Sequence, residues 1–478
     1  MAEIDQDKIR EIVIQVVRSL REQGSLPERA SQPSRPVVRT SREGVFDDVD
    51  EAVKVAKEAQ RQLMQIGMEG RKRIIQAMRD AALKNSEMLA RMAVEETQMG
   101  RYEHKVIKNQ NAALYTPGVE DILPQVQTGD NGMTLVERAP FGVINAICPI
   151  TNPTSTVINN GICMISAGNS IVFSPHPGAK ECTIRTMTIL NQAIVEAGGP
   201  PNLMVAMREP SLRLAKQIMD HPDVDVIVAT GGGSVVRAAL SSGKKAIAAG
   251  PGNPPVVVDE TADVAKAARD VTEGSFFDNN ILCIGEKSVF VLQSVADEFI
   301  RGMIENGCYL LKENELKAVE SLVIQDGHPA REYIGKDASY ILQHAGIRAR
   351  DEIKVLIFET NPDHPIVVEE FLMPIVPIVR ARDFREAVEM AVKTEGGNRH
   401  TAIIHSGDIS RITEFARAIR TTVLVVNGPS YACVGEEGEG FVAMSMAGPT
   451  GEGFTKPSTF TRERRVTLVK GISVNTLL

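Results

Sequence analysis

The chain has 478 residues, of which 43% are hydrophobic and 24% charged, and its formal net charge is −8. A single core rarely grows beyond about 250–300 residues, so we expect at least two domains. The net negative charge argues against a broad nucleic-acid-binding surface. The sequence contains no run of about 18 apolar residues, so it predicts no membrane span. The six cysteines form neither CxxC pairs nor a Cys/His zinc pattern, which favours a reducing, cytoplasmic compartment and no metal site.

The first 44 residues differ from the rest. Residues 4–23 predict an amphipathic helix, because apolar side chains recur at the spacing of one helical face, at Ile9, Ile12, Val13, Val16, Val17 and Leu20. Residues 24–44 are rich in Pro, Ser, Arg and Glu and predict a flexible linker. The helix could pack on its own domain or form a coiled-coil oligomer, or it could dock in the groove of another protein.

The pattern then becomes helical, over residues 46–63 and 71–97, before the segment 121–140 predicts two strands around a Gly-Asp-Asn-Gly turn. From 142 to 248 apolar strands alternate with helices. This alternation predicts a parallel, doubly wound sheet, in which ligands lie beyond the carboxyl ends of the strands. A second α/β round begins near Ala249, and residues 464–475 predict a terminal strand.

Three short segments carry candidate chemistry. Cys283, in NNILCIGEK at 279–287, is either a small core residue or a nucleophile on a loop. Asn152, in CPITNP at 148–153, could donate to an oxyanion or could cap the following helix. The run Thr230–Ser234 stands between a strand and a helix, and is either a phosphate seat or a tight turn.

Taken together, six segments in order resemble the aldehyde dehydrogenase superfamily, most closely its CoA-acylating branch from bacterial microcompartments. They are TNP at 151–153, TGGGS at 230–234, GPGNPP at 250–255, NNILCIGEK at 279–287, EEFLMP at 369–374 and GPTGEGFTKPSTFTRERR at 448–465. The resemblance covers about residues 44–478. It implies an α/β fold with a doubly wound dinucleotide-binding domain, an α/β catalytic domain and a β oligomerisation arm.

The resemblance also implies boundaries and roles. The expected parts are a targeting helix (1–23), a linker (24–44), the dinucleotide-binding domain (45–120 and 141–248), the catalytic domain (249–447), and the arm with the C-terminal strand (121–140 and 448–478). Cys283 would be the nucleophile, and Asn152 would hold the oxyanion together with the cysteine's backbone N–H. Glu370 would contact the nicotinamide ribose. The other expected cofactor-binding residues are Thr151, Ser174, Pro175, Thr230, Gly231, Gly232, Ser234 and Gly252.

Two departures from the hydrolytic members of this superfamily are informative. Those members carry a glutamate base that activates water, whereas the matching position here is Ala249. Without that base water attacks a thioester poorly, and a thiol cosubstrate can do so instead. Hydrolytic members also place a lysine near the adenosine ribose. Ser174 stands in the equivalent stretch here, which leaves the choice between NAD and NADP open.

The resemblance therefore implies an enzyme that oxidises a short aldehyde, propionaldehyde before acetaldehyde, with NAD and coenzyme A. It further implies that residues 4–23 target the enzyme to the lumen of a bacterial microcompartment, and that the arm supports a homodimer or tetramer. Two alternatives are a hydrolytic NAD(P)-dependent aldehyde dehydrogenase and a non-catalytic microcompartment interaction protein.

Overall fold

The structure, a computed structural model, describes residues 43–349, 352–436 and 438–470. The predicted helix at 4–23, and all of the predicted linker except its last two residues, lie outside the described residues. Residues 41–478 make up one compact unit. Among the described helices, none combines the length and the apolar composition needed to cross a bilayer.

Four helices begin this unit, after a short strand β1 (Val45–Phe46). They are α1 (Val49–Leu63), α2 (Met68–Lys84), α3 (Ser86–Thr97) and α4 (Tyr102–Tyr115). The side chain of Asp48 caps α1 by accepting from the backbone N–H of Glu51. The continuous helical pattern predicted over 71–97 is in fact two helices, which part at Asn85. Helix α4 was not predicted, because lysine and asparagine side chains, rather than an apolar stripe, occupy much of its buried face.

The predicted two-stranded segment belongs to a three-stranded antiparallel sheet. Strands β2 (Gln125–Gly129) and β3 (Gly132–Pro140) form a hairpin, and β20 (Thr461–Val469) pairs with β3 along its whole length. The terminal strand thus starts three residues before the predicted one, and residues 471–478 lie outside the described residues. We call this sheet the arm.

The first large sheet confirms the doubly wound prediction. Its strands, all parallel, lie in the order β1-β6-β5-β4-β7-β8, so that the order reverses between β4 and β7. Its strands after the arm are β4 (Val143–Ile147), β5 (Ser170–Ser174), β6 (Met204–Met207), β7 (Val226–Thr230) and β8 (Lys245–Ala249). The connecting helices are α5 (Pro153–Ser166), α6 (Lys180–Glu196), α7 (Leu212–Asp220) and α8 (Gly233–Leu240). Strands covered on both faces read as continuous apolar runs, as these do.

The second large sheet is also parallel and has seven strands, in the order β11-β14-β15-β10-β9-β16-β17. These strands are β9 (Pro255–Val258), β10 (Ser288–Leu292), β11 (Cys308–Leu310), β14 (Val355–Glu359), β15 (Ile375–Ala381), β16 (Thr401–His405) and β17 (Val423–Val426). Two small two-stranded sheets complete the strands: β12 (Ile324–Gln325) with β13 (His328–Pro329), and β18 (Met446–Ala447) with β19 (Gly453–Phe454).

The helices of this second part are α9 (Val264–Phe276), α10 (Ala296–Glu305), α11 (Glu313–Val323), α12 (Ala338–His344), α13 (Pro365–Val368), α14 (Phe384–Glu395) and α15 (Ile409–Ile419). The chain runs from the carboxyl end of β8 to the amino end of β9 through only five residues, 250–254. The carboxyl edge of the first sheet therefore lies next to the amino edge of the second, and the candidate site residues lie along these two edges.

Candidate active site

Cys283 lies on the loop that enters β10, behind three successive residues in the left-handed region. Asp278, Asn279 and Asn280 have φ of 52°, 55° and 59°. Such a conformation costs other residues on the order of 1 kcal/mol or more each, and Asn and Asp tolerate it best. The thiol is half-buried, and it packs against an apolar cluster that includes Phe277. Cys283 thus lies on a loop and not within a strand or helix, and its role as the nucleophile stays a prediction.

A buried ammonium group holds this loop in place. Lys287 Nζ donates to the backbone oxygen of Asn280 at 2.5 Å, to its side-chain Oδ1 at 2.8 Å and to the carbonyl of Leu282 at 3.0 Å. The three hydrogens of the ammonium are thus all used on the turn that precedes Cys283. The position of the sulfur therefore depends on a lysine four residues further along the chain.

The environment of Cys283 disfavours the free thiolate. Burial, with a further contribution from the Glu370 carboxylate, raises the pKa of Cys283 to about 12, although the cations of Lys287 and Lys108 act in the opposite direction. At neutral pH the resting cysteine is therefore a thiol. Sulfur attack must be coupled to removal of that proton or to stabilisation of the negative charge that forms.

Gly252 lies directly against the backbone of Cys283. A Cβ built on this glycine would lie 2.5 Å from the carbonyl oxygen of Cys283 and 2.9 Å from Cγ of His400, so only glycine fits. The Gly252 N–H donates to the carboxylate of Glu370. Burial raises the pKa of Glu370 to about 7, while Lys287 and this N–H act to lower it. Its neighbour Glu369 instead contacts His328 in an exposed position.

His400 is a site residue that the sequence did not reveal. Its ring is buried, Nδ1 is bonded to Thr401 Oγ1 at 2.9 Å, and its buried Nε2 has no partner among the described residues. Burial lowers the pKa of His400 to about 4, so the imidazole is neutral at physiological pH. No histidine motif or spacing signalled it, because its role depends on contact with Gly252, far away in sequence.

Asn152 ends the loop after β4 and takes the N-cap position of α5, yet its side chain makes no capping hydrogen bond. Its Oδ1 accepts from Lys108 Nζ at 2.6 Å, and its Nδ2 donates to Thr151 Oγ1 at 3.1 Å. The helix-cap alternative is therefore wrong for this side chain. Asn152 and Thr151 are both half-buried, so the amide can be reached by a ligand.

A fully buried carboxylate connects Asn152 to the cysteine loop. Asp278 forms ion pairs with Lys105 and Lys108, which are three residues apart on one face of α4. It also accepts from the backbone N–H of Arg101 at 2.7 Å. Burial by itself would raise the pKa of Asp278, but the two lysines outweigh it and lower the pKa to about 2. None of these charged residues was singled out from the sequence, because α4 itself was not predicted.

The run after β7 forms the start of helix α8, which no side chain caps. Gly232 is the N-cap of α8, and a Cβ on Gly231 or Gly232 would meet nothing within 4 Å. Free N–H groups at a helix terminus favour an anion such as the pyrophosphate of a dinucleotide. Ser234 is exposed in the first turn, whereas Thr230 bonds to Ser445 at 2.7 Å. The loops after β4 and β7 flank the point where strand order reverses, which is where dinucleotides bind in such sheets.

Ser174 and Pro175 lie at the carboxyl end of β5 and are both buried. The Ser174 hydroxyl accepts from Asn145 Nδ2 at 2.9 Å, and the Ser174 carbonyl accepts from the N–H of Cys148 at 3.0 Å. These two residues share the sheet edge with Thr151 and Thr230, but not the contacts around Cys283. Within the described ranges, no group of three Asp, Glu, His or Cys side chains is arranged to hold a metal ion.

The solved structures most like this chain include two propionaldehyde dehydrogenases. One, from the fucose utilisation bacterial microcompartment of Clostridium phytofermentans, is 47% identical with a TM-score of 0.89, covering 90% of this chain and all of that one. The other, from Rhodopseudomonas palustris, contains bound CoA and an acylated cysteine. It is 46% identical with a TM-score of 0.88, over 89% of this chain and 98% of that one.

Sequence comparison gives a consistent result. The acetylating acetaldehyde dehydrogenase EutE of Escherichia coli is 45% identical over 438 residues, which cover 90% of this chain and 93% of that protein. The profile of the aldehyde dehydrogenase family matches residues 28–317 and 350–449. With this match, these relatives and the shared fold, the chain belongs to the aldehyde dehydrogenase family.

Proposed function

We propose that this chain oxidises a short aliphatic aldehyde, with NAD and coenzyme A, to an acyl-CoA through a thioester on Cys283. The observation that carries the proposal is the contact between Cys283 and the Gly252 turn. That turn, entered from Ala249, contains no acidic or basic side chain of its own. The acylated cysteine and bound CoA of the Rhodopseudomonas palustris relative support the same chemistry.

The chemistry starts at the sulfur. As the thiol proton of Cys283 passes to solvent, Sγ bonds to the aldehyde carbon, and the carbonyl oxygen becomes an oxyanion that accepts from Asn152 Nδ2 and the Cys283 N–H. A dinucleotide held by the cofactor-binding residues would supply the acceptor for the hydride of this carbon. Cys283 then holds the acyl group as a thioester. The sulfur of CoA bonds to the acyl carbon as its thiol proton is lost, the bond to Cys283 Sγ breaks, and the departing sulfur takes up a proton and returns to the thiol.

The remaining site residues take binding and positioning roles. Thr230, Gly231, Gly232 and Ser234 form the seat for the pyrophosphate, and Glu370 contacts the nicotinamide ribose. Thr151, Ser174, Pro175 and Gly252 complete the walls of the cofactor cleft. The apolar cluster around Cys283 suits the alkyl tail of a small aldehyde, and propionaldehyde is the favoured substrate.

A steady-state assay with aldehydes of two to four carbons tests this function. We expect NADH and acyl-CoA to form together and to depend on CoA, and Cys283→Ser to abolish both. Cys308→Ser is the matched control, because Cys308 lies in the core of the second sheet. A carboxylate released at full rate without CoA would instead establish the hydrolytic alternative.

The segment before residue 43 gives the enzyme its location in this proposal. The apolar face at 4–23, on a polar tether, suits docking to a shell or core protein of a bacterial microcompartment. We expect residues 1–44 fused to a fluorescent protein to be carried into purified microcompartments. The same fusion with Val13→Glu and Val16→Glu should remain outside. Equal uptake of both fusions would contradict docking through this face.

A further inference from the structure

We propose that Lys108 is a positioning residue for the oxyanion site, fixing the Asn152 amide so that Nδ2 rather than Oδ1 is presented to the substrate oxygen. The inference rests on the function proposed above, because it concerns the same oxyanion. It begins from one contact, the 2.6 Å hydrogen bond between Lys108 Nζ and Asn152 Oδ1.

The direction of this hydrogen bond is fixed by chemistry. A lysine ammonium has three donors and no acceptor, so the amide atom that faces it must be the oxygen. The nitrogen of the amide therefore points away from Lys108. One of its hydrogens goes to Thr151 Oγ1, and the second is left for a substrate oxygen. A flipped amide would turn its donor end towards a cation and present a lone pair to an oxyanion.

The position of Lys108 is in turn fixed by the buried carboxylate of Asp278. Both side chains are almost completely buried, so water cannot replace the contacts between them. Asp278 stands five residues before Cys283, in the left-handed turn, and its backbone N–H donates to His104 Nδ1 at 2.8 Å. One residue, Asp278, thus links the turn before Cys283 to the lysine that orients the Asn152 amide.

Lys105 offers a matched comparison on the same helix face. It is equally buried and pairs with the same Asp278 oxygen, but its other contact is the backbone carbonyl of Thr151, at 3.2 Å. A variant at Lys105 therefore disturbs the buried charge cluster without removing the hydrogen bond to the amide. A variant at Lys108 disturbs the charge cluster and also removes the hydrogen bond to the Asn152 amide.

A double-mutant cycle tests the role, with the rate of the NADH burst from enzyme, NAD and propionaldehyde in the absence of CoA as the readout. We expect Lys108→Met and Asn152→Ala each to slow the burst by about 10²-fold, the usual cost of losing an oxyanion donor. The double variant should be slower than Asn152→Ala alone by no more than the factor that Lys105→Met adds, because the rest of the Lys108 effect acts through that amide. The KM for the aldehyde should change much less than kcat.

Lys105→Met is combined with Asn152→Ala in the same way. Because the two act independently, the double variant should be slowed by the product of the two single factors. If Lys108→Met fails to fold, Lys108→Leu, which also lacks a donor for Asn152 Oδ1, is used in the same two backgrounds. A burst at the wild-type rate in the Lys108 variant, or an equal slowing in both backgrounds, would overturn the positioning role. A wild-type enzyme without any NADH burst would instead count against the proposed function, so the two failures are distinguishable.

Discussion

At the scale of single residues, the site opposes the ionisation of Cys283, the proposed nucleophile. Glu370 raises the pKa of Cys283 only while its carboxylate is charged, and burial raises the pKa of that carboxylate to about 7. The opposition therefore strengthens as the pH rises through 7. Such an arrangement keeps the Cys283 thiol protonated in the free enzyme until a substrate binds. Because the thiolate is the reactive form of cysteine, this limits side reactions of the sulfur.

Alkylation of the free enzyme by iodoacetamide measures this effect. We expect Glu370→Gln to react faster than the wild type at pH 8, because the nearby negative charge is gone. At pH 6 the two should react at the same rate, because the protonated Glu370 of the wild type is then as uncharged as glutamine. Cys283→Ser gives the background from the other cysteines. A rate difference that does not grow between pH 6 and pH 8 would contradict the role of the Glu370 charge.

At the scale of elements, two turns pack closely against each other. The turn between β8 and β9 brings Gly252 against the Cys283 carbonyl, and the left-handed turn before Cys283 is held by Lys287. Neither turn is regular secondary structure, so each depends on the contacts of the other for its conformation. The nucleophile is positioned by this contact rather than by a strand or helix of its own.

Gly252→Ala should therefore displace Cys283 and lower kcat strongly, with a loss of stability of about 1–3 kcal/mol from overpacking. Gly250→Ala is the control two residues earlier, since its added Cβ would make an ordinary contact, 3.4 Å from Pro449 Cγ. Steady-state kinetics and urea denaturation measure both effects. If the two variants lose activity equally, the close approach at Gly252 is not what matters.

At the scale of the whole molecule, the arm has an apolar face that is left uncovered. Val126, Leu135 and Val466 lie side by side across its three strands, and Leu468 continues the same face of β20. Val126, Val466 and Leu468 are all exposed. An apolar face of this kind on an arm suits burial against a second copy of the chain, in the homodimer or tetramer that the family resemblance implies.

Val466→Glu should accordingly reduce the mass of the assembly in light scattering, because a charge would be buried at the interface between copies. Thr467→Glu places the same charge on the opposite face of the strand and should leave the mass unchanged. An assembly of unaltered mass in the Val466 variant would show that this face is not an interface.

The sequence by itself predicted most of the elements and singled out Cys283 as the candidate nucleophile. Alternating apolar strands and helices predict a parallel sheet from local periodicity. The NNILCIGEK and TGGGS segments could also be recognised, because the residues of each motif are contiguous in the sequence. Helix α4 was missed for an equally local reason. It buries Lys105, Lys108 and Asn109 where the pattern of a helix would place apolar side chains.

Only the tertiary structure decided which residues act together. The general rule for such sheets placed ligands at the carboxyl ends of the strands, and the glycine turn after β7 lies there. Gly252, Cys283, Glu370 and His400, however, precede β9, β10, β15 and β16, four neighbouring strands of the second sheet, at their amino ends. Lys108 reaches Asn152, and His400 reaches Gly252, across separations of 44 and 148 residues. Contacts over such distances depend on how the two sheets pack, which no local pattern records.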